Sequence, residues 1–362
     1  MTPASPLLIA FYLPQFHTIP ENDAWWGSGY TEWTSVRSAV PLFDGHHQPH
    51  RPLGGHYDLT DPTARRRQSQ LATTFGIGAF CYYHYWFEGA RLLERPFDEV
   101  LASGTPSMPF CLCWANEPWS RRWDGSDHDV LQPQGYSARD DDVHARALLP
   151  AWSDPRAVRV DGRPVFVVYR PDQLPDPVAT AGRWRRVARR AGLPGLYLIG
   201  VETAASGRWD PNAYGFDASL VFQPWWDVLN TVEQLSVGAA DSTRVYEYER
   251  AVLALDADQN RPWDHYETVF PGWDNTPRRR DHAVVLHNPR ADVYEQWLAR
   301  AVDRNRARNP DQPVVFINAW NEWGEGCHLE PDARHGRAFL RATKRVSTQE
   351  GLRGPLLRER AG

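Results

Sequence analysis

The chain has 362 residues, a formal net charge of -5 and hydrophobic residues at 42% of its positions. This length fits one large domain or two small ones, with enough apolar residues for a sizeable core. There is no long basic run, so we expect neither nucleic acid nor an anionic membrane as a partner. Seventeen Trp residues are several times the usual number, and indoles commonly stack on sugar rings. The composition therefore favours a carbohydrate-binding protein.

The cysteines and the N-terminus bear on the cellular compartment. Cys81, Cys111, Cys113 and Cys327 lie in or beside predicted strands, and none belongs to a C-x-x-C pair. We expect them to be reduced thiols of a cytosolic protein. The first residues have no basic n-region or apolar h-region, and no 18-residue apolar run follows. The sequence therefore predicts a cytoplasmic protein without a membrane segment.

Short apolar runs alternate with helical patterns along the chain. The predicted strands cover residues 7–12, 77–86, 109–114, 165–169, 196–202, 218–226 and 268–270, and the last begins at 314. The predicted helices cover residues 61–75, 93–103, 140–152, 180–191, 291–308 and 336–345. Residues 227–264 are irregular or helical and have no clear order. A long loop follows the first strand, and loops of this length in compact domains are usually functional.

Strand, polar strand end and helix recur eight times, which predicts a single (β/α)₈ TIM barrel with long βα loops. We expect residues 1–345 to form the catalytic domain and residues 346–362 to form a tail. A doubly wound open sheet would require a Gly-rich phosphate loop after the first strand. The sequence PQFH stands at positions 14–17 instead, and neither a P-loop nor a G-x-S-x-G elbow is present.

The last predicted strand breaks directly into polar residues. Residues 318–331 contain two Asn, three carboxylates, one His and two Trp. Carboxylates crowded beside indoles lose water and repel one another, so one can stay protonated while its neighbour is ionised. Acid/base work on a sugar needs such a pair. A solvated acidic turn is the alternative, but exposed turns rarely carry two Trp.

Polar and aromatic groups at the other strand ends are candidate substrate-binding residues. Each polar group either holds a sugar hydroxyl or supports another site residue, and each Trp either stacks on sugar or packs between barrel and helices. Arg278 either meets an acidic sugar or phosphate or pairs with Asp274. The candidates are Tyr12, Gln15, His17, Trp26, His84, Trp86, Trp114, Asn116, Gln223, Trp226, Asp274, Arg278, Asn318, Trp320, Asn321 and His328.

Two other features raise the question of a metal. His46, His47, His50 and His56 in the first long loop match no zinc signature. Two D-x-D motifs, at 127–129 and 256–258, do not directly follow predicted strands. We therefore expect no metal and no cofactor.

Several motifs resemble those of one family. They are FYLPQFH at 11–17, WWG at 25–27, TEW at 31–33, CYYHYWF at 81–87, WANE at 114–117 and WNEWGEG at 320–326. They resemble the WbsX-type family, which is found in bacterial polysaccharide gene clusters. That family is related to glycoside hydrolase family 99, the endo-α-1,2-mannosidases and mannanases. The resemblance runs from about residue 7 to about residue 339.

The resemblance implies a hydrolase that cleaves an α-linked, mannose-like oligosaccharide or polysaccharide with retention and without a metal. Glu322 would act as general base on the substrate's own 2-hydroxyl, which gives a 1,2-anhydro intermediate. Glu325 would act as general acid and then as the base for water. A 2-hydroxyl is a poor nucleophile and needs such a carboxylate within hydrogen-bond reach.

Two alternatives stay open at this point. The family was first labelled glycosyltransferase, which implies a role in cell-surface polysaccharide (O-antigen type) biosynthesis. Alternatively, Glu117 and Glu322 end different strands and would form an ordinary two-carboxylate glycosidase. Their separation would be about 5–5.5 Å for retention or about 6.5–9.5 Å for inversion. The sequence predicts no oligomeric state.

Overall fold

The computed structural model describes residues 4–121, 126–238, 242–279 and 282–348. Within these ranges, eight parallel strands form a closed barrel in which each strand pairs with the next and the last pairs with the first. The barrel strands are β1 (Leu7–Tyr12), β2 (Ala79–Phe87), β3 (Phe110–Trp114), β4 (Arg163–Val168), β5 (Tyr197–Glu202), β6 (Ala218–Val221), β7 (His265–Val269) and β8 (Val314–Ile317).

Helices connect the strands and lie within the loops. They are α1 (Pro20–Trp26), α2 (Glu32–Ser38), α3 (Pro62–Thr74), α4 (Arg95–Ser103), α5 (Ala138–Ser153), α6 (Pro177–Arg190), α7 (Trp226–Leu229), α8 (Tyr248–Ala257), α9 (Ala291–Arg308) and α10 (Ala338–Ser347). Short strands outside the barrel are Ala90–Leu92, Trp119–Arg121, Ser126–Gln132, Arg159–Val160, Arg244–Glu247, Val284–His287, Asn321–Glu322 and Cys327–His328. In the described part of the chain, no helix is long and apolar enough to cross a membrane.

The period-2 geometry of the strands produces two apolar layers. In β1, Ile9 and Phe11 belong to the cluster that fills the barrel, while Leu8, Ala10 and Tyr12 belong to the cluster between barrel and helices. Three cysteines also lie in the barrel cluster, and all four cysteines of the chain are buried and unpaired. The carboxyl ends of the eight strands consequently share one rim, where the long loops gather.

The barrel predicted from the sequence is confirmed, and α9 has the predicted bounds. Two short helices, α1 and α2, were not predicted in the first long loop because their aromatic-rich sequences have no helical period. Helix α10 ends two residues beyond the predicted domain boundary at 345. Residues 349–362 of the predicted tail lie outside the described residues.

Candidate active site

A cleft of about 730 Å³ opens among loops at the carboxyl ends of the barrel strands. Seven of the predicted site residues line it. They come from the loops after β1, β3, β6, β7 and β8, so distant parts of the sequence meet in one place. The seven are Gln15, Trp26, Glu117, Trp226, Arg278, Glu322 and Glu325.

The loop after β8 carries Glu322 and Glu325. Strand Asn321–Glu322 pairs antiparallel with Cys327–His328, and the turn Trp323–Glu325 joins them. Gly326 closes this turn at a φ of 59°, and an added Cβ there would come 2.8 Å from the Cβ of Asp274. The sequence needs glycine at this position because the loops after β7 and β8 approach each other so closely.

Hydrogen bonds fix this loop from behind. The Leu13 amide donates to Asn321 Oδ1 at 2.8 Å, and Asn321 Nδ2 donates to the Leu13 carbonyl at 2.9 Å. The indole of Trp323 stacks on His328 and donates to Glu330 at 2.8 Å. Glu330 also accepts hydrogen bonds from Tyr57 and Gln68. The backbone around the two acids is therefore held without using their carboxylates.

Arg278 is the centre of a charged cluster on one side of the cleft. Its Nε lies 2.7 Å from Glu32, its Nη2 lies 2.8 Å from Glu322, and its Nη1 lies 2.9 Å from Glu325. Three carboxylates therefore surround one guanidinium, which leaves an excess of negative charge when all are ionised. Arg278 does not pair with Asp274, which was one of the two partners expected from the sequence, because Asp274 instead accepts hydrogen bonds from Gln48 and Thr276 and contacts His46.

Gly324 makes room for this cluster. A Cβ at position 324 would collide with Oε1 of Glu32 and lie 2.8 Å from Nε of Arg278. Any other residue would therefore push the Glu32–Arg278 pair away from the turn that carries the two acids. Gly324 of the WNEWGEG motif is therefore required by the packing of the charged cluster as well as by the turn.

The surroundings of the two acids change their protonation. Burial raises the pKa of Glu322 to about 8; Arg278 opposes this rise, while repulsion by Glu325 and Glu32 adds to it. Burial also raises the pKa of Glu325, against the opposing charge of Arg278. The side chain of Glu322 is only 5% exposed, whereas that of Glu325 is 26% exposed and faces the cleft. The pair therefore favours keeping a proton near neutral pH.

A second charged group lies on the side of the cleft built by the loops after β3 and β4. Arg170 contacts Glu117 at 2.6 Å and Asp172 at 2.7 Å. Asn116 fixes the backbone there, because its Oδ1 accepts from the Arg170 amide at 2.7 Å and its Nδ2 donates to the Arg170 carbonyl at 2.8 Å. Glu117 is thus held in the cleft wall, and Asn116 supports it from below.

The other twelve predicted site residues do not line the cleft. They pack or form hydrogen bonds within the barrel wall and beneath the loops, where most of them are at most 8% exposed. Their positions therefore do not support direct contact with a sugar in the cleft. They are Tyr12, His17, His84, Trp86, Trp114, Asn116, Gln223, Asp274, Asn318, Trp320, Asn321 and His328.

Their contacts explain their burial. Tyr12 donates to Gln68 at 2.5 Å, and His84 contacts His144 of α5 at 2.9 Å. Asn318 donates to the Gln223 carbonyl at 3.0 Å. These side chains hold neighbouring elements of the barrel together. Such a supporting role was one of the two roles that the sequence analysis considered for each polar residue.

Sequence reasoning missed several residues of the cleft. Tyr83 and Tyr85 line it, although the neighbouring His84 and Trp86 were chosen, because alternate residues of β2 point to opposite faces. Glu32 was quoted only as part of a motif, and its buried pairing with Arg278 has no local signal. Trp119, Tyr169 and Trp273 also line the cleft.

Several of the histidines and the D-x-D motif at 256–258 have protein partners. No group of three or more His, Cys, Asp or Glu residues arranged to hold a metal occurs among the described residues. His50 contacts His328 at 3.1 Å. Asp256 pairs with Arg300 and Arg304 on neighbouring helices. In the motif at 127–129, the side chains of residues 127 and 128 lie outside the described part.

Two solved structures share the architecture of this chain. A protein described as glycoside hydrolase-like superposes with a TM-score of 0.60 at 15% identity, covering 96% of this chain and 95% of the other. The GH99 endo-alpha-mannosidase from Bacteroides thetaiotaomicron gives a TM-score of 0.59 at 16% identity, covering 95% of this chain and 97% of the other. At such low identity the likeness establishes the fold alone, which is a (β/α)₈ barrel.

The chain belongs to the family described as Glycosyltransferase WbsX, whose model matches residues 8–343. This description is that of a carbohydrate-active family. Two curated relatives, each described as uncharacterized protein WxcX, come from strains B100 and ATCC 33913 of Xanthomonas campestris pv. campestris. Each is 47% identical over 348 residues, which are 94% of this chain and 50% of the relative. The chain thus spans about half the length of these relatives.

Proposed function

We propose that this domain is a retaining glycoside hydrolase that cleaves an α-linked, mannose-like glycan. The observation that carries the proposal is the pair Glu322 and Glu325 in the cleft wall, crowded with Glu32 around a single guanidinium. Such an arrangement supports one protonated and one ionised carboxyl group at neutral pH. General acid/base catalysis of glycoside cleavage needs both forms at once.

In the first step, ionised Glu322 accepts the proton of the substrate's 2-hydroxyl while its oxygen attacks the anomeric carbon. The bond from that carbon to the leaving oxygen breaks, and Glu325 donates its proton to this oxygen. The product of the step is a 1,2-anhydro sugar with inverted configuration. Each positioned proton transfer contributes about 10²–10⁴-fold to the rate.

In the second step, ionised Glu325 accepts a proton from water, and the water oxygen attacks the anomeric carbon. The three-membered ring opens, and Glu322 returns its proton to the 2-oxygen. Two inversions give net retention, and both carboxyl groups recover their starting protonation. The greater exposure of Glu325 supports its role beside water and the leaving group.

The free site and the reacting site differ in where the proton lies. The deeper burial of Glu322 makes it the better proton holder in the free cleft, where its pKa is raised to about 8. A sugar hydroxyl that donates a hydrogen bond to Glu322 stabilises its ionised form. Substrate binding therefore favours movement of the shared proton to Glu325, which is the form that the first step needs.

The ordinary two-carboxylate mechanism would use Glu117 and Glu322 instead. Glu117 is bound to Arg170 at 2.6 Å, a partner that suits a carboxylate which holds a hydroxyl. A substrate with 2-fluorine in place of the 2-hydroxyl separates the two mechanisms. We expect no covalent adduct by intact-protein mass spectrometry, whereas a glycosyl ester on Glu117 or Glu322 would contradict the proposed role of the 2-hydroxyl.

A second candidate function is a glycosyltransferase of cell-surface polysaccharide assembly, which the description of the family favours. Incubation of the protein with α-mannan oligosaccharides, with and without sugar nucleotides, tests both candidates. We expect shorter oligosaccharides by mass spectrometry without any sugar nucleotide. Elongated products that require a sugar nucleotide would contradict the hydrolase.

The proposal includes a cytoplasmic location. Its support is the set of four buried, unpaired cysteines, which suit a reducing compartment. Fractionation of cells that produce the full-length protein tests it. We expect the protein in the cytoplasmic fraction, and recovery outside the cytoplasm would contradict this part of the proposal.

A further inference from the structure

One wall of the cleft carries positive charge that the catalytic cluster does not use. A small parallel sheet outside the barrel pairs Arg244–Glu247 with Val284–His287. Arg244, Arg279 and His282 all line the cleft from this sheet and the segments next to it. Three basic side chains are therefore gathered on one wall.

Backbone hydrogen bonds hold the two arginines against the same short stretch. The Arg244 amide donates to the Ala283 carbonyl at 2.9 Å, and Arg244 lies opposite Val284 in the sheet. The Arg279 amide donates to the Asn275 carbonyl at 2.8 Å, and Asn275 Oδ1 accepts from the Val284 amide at 2.8 Å. The backbones of both arginines are thus tied to the stretch 283–284.

The charges of these arginines are not neutralised by acids in the described part of the chain. Arg244 donates to the amide oxygen of Asn230 at 2.6 Å, and neither Arg244 nor Arg279 has a carboxylate within 4.0 Å among the described residues. Arg170, also in the cleft, differs because two carboxylates bind it. Among the described residues, these two guanidinium groups are therefore available to an anionic group of a ligand in the cleft.

An aromatic surface adjoins this wall. Trp226 and Trp273 line the cleft and contact each other edge to face, with ring centroids 5.3 Å apart. The Asn230 amide donates to the Trp226 carbonyl at 2.9 Å, so the residue that holds Arg244 also ends the helix of Trp226. A ring that stacks on this surface has its substituents near the arginines.

The wall also lies close to the proposed general acid. Arg279 directly follows Arg278, whose Nη1 lies 2.9 Å from Glu325, and all three residues line the cleft. The charge of Arg279 also opposes the burial that raises the pKa of Glu325. A ligand bound to Arg279 is therefore in the neighbourhood of the bond to be cleaved, rather than at a remote part of the cleft.

We propose that Arg244 and Arg279 bind the carboxylate of an acidic sugar residue, of the hexuronate class, whose ring lies against Trp226. This inference rests on the proposed function and adds a preference for an acidic residue in its glycan substrate. A guanidinium matches a carboxylate with two parallel hydrogen bonds, and a neutral sugar leaves that match unmade. The diphosphate of a sugar nucleotide presents the same anionic chemistry, so the experiment includes it as a separate arm.

The experiment is isothermal titration calorimetry on the whole chain with three probes. They are a glucuronosyl-mannose disaccharide, its carboxyl-reduced neutral counterpart and uridine diphosphate. The variants are Arg244→Gln and Arg279→Gln, and Arg250→Gln is the matched control because Arg250 is exposed and pairs with Glu233 outside the cleft. Thermal unfolding of each variant verifies that it is folded.

We expect wild type and the control to bind the acidic disaccharide at least about tenfold tighter than the neutral one at low salt. Each cleft variant should reduce this preference to below about threefold and leave the affinity for the neutral disaccharide unchanged. Equal affinity of wild type for both disaccharides would overturn the inference. Tighter binding of uridine diphosphate that depends on Arg244 would overturn it as well, in favour of a nucleotide.

Turnover of the same two disaccharides separates this inference from the proposed function. If both are hydrolysed equally well and bound equally well, the acidic subsite is wrong and the hydrolase stands. If the acidic preference depends on both arginines but neither disaccharide nor longer acidic oligosaccharides are cleaved, the subsite stands and the hydrolase is wrong.

Discussion

Two arginine–carboxylate groups line the cleft and differ in burial and charge. Arg278 binds three carboxylates, of which Glu32 and Glu322 have side chains 0% and 5% exposed. Arg170 binds two carboxylates, Glu117 and Asp172, whose side chains are 29% and 22% exposed. The first group has an excess of two negative charges when fully ionised, and the second has an excess of one.

This difference indicates that one rim of the barrel holds two kinds of carboxyl group. Buried carboxylates that outnumber their counter-charge are driven to keep a proton, as the raised pKa of Glu322 illustrates. Carboxylates that are more exposed and better balanced by their counter-charge are suited to hold hydroxyl groups. On this comparison, we propose that the Arg278 group transfers protons and that the Arg170 group binds hydroxyl groups.

The largest expected effect is that of Glu325→Gln. It removes the proton donor to the leaving oxygen, so kcat on a natural glycan should fall about 10²–10⁴-fold. On an aryl glycoside with a good leaving group, the kcat of this variant should fall much less, because the departing oxygen needs no proton. The matched substitution in the Arg170 group, Asp172→Asn, should lower kcat less than about tenfold. Full activity of Glu325→Gln on the natural glycan would place the acid elsewhere.

The next effect concerns stability and pH. Because the pKa of Glu322 is raised from its ordinary value to about 8 in the folded chain, the folded state binds this proton more tightly than the unfolded state. Stability is therefore lost as the pH rises from about 4.5 to about 8. The Glu322→Gln variant has no such proton, so we expect it to exceed wild type by about 2 kcal/mol or more in free energy of unfolding at pH 8.5.

Denaturant unfolding of both proteins at pH 5 and pH 8.5 measures this difference. The advantage of the variant should be larger at pH 8.5 than at pH 5. An advantage that is constant with pH would show that Glu322 does not keep its proton in the folded state. The activity of this variant should be lost at both pH values, since it has no base for the 2-hydroxyl.

A smaller effect is expected for Glu32→Gln. Glu32 adds to the raised pKa of Glu322 by repulsion, so removing its charge should lower that pKa. The alkaline limb of the profile of kcat/KM against pH reports loss of the last proton of the pair, and it should move to lower pH. A purely structural role of Glu32 would lower the whole profile without moving this limb.

The smallest effect is expected for Glu117→Gln. If this residue only holds a hydroxyl, KM should rise by less than about tenfold and kcat should change little, because uniform binding is lost. A fall in kcat as large as that of Glu325→Gln would break the comparison. It would assign chemistry to the Arg170 group and support the two-carboxylate mechanism.

Part of this molecule is readable from its sequence because the signals are local. Apolar runs that end in polar residues gave the barrel, and the crowding of acids and indoles at 320–326 gave the pair that lies in the cleft. The orientation of single side chains was harder. His84 and Trp86 face α5, while Tyr83 and Tyr85 line the cleft. Because alternate residues of a strand point to opposite faces, an assignment that is wrong by one residue exchanges the two faces.

Long-range pairings have no such signal. Glu32 and Arg278 are 246 positions apart, and neither neighbourhood indicates the other. Trp114 and Trp320 were as plausible as Trp226 for stacking, yet they are 1% and 0% exposed in the core. For Trp114 the alternation was informative: Phe110, Leu112 and Trp114 share the helix-facing side of β3.

The most direct test of the central claim is ¹H NMR of an α-mannan oligosaccharide during cleavage by the purified protein without any sugar nucleotide. If Glu322 and Glu325 act as proposed, the new reducing end appears first as the α-anomer and equilibrates later. The same spectrum with Glu325→Gln should remain that of the substrate. First appearance of the β-anomer, or cleavage that persists unchanged in the variant, would contradict the account.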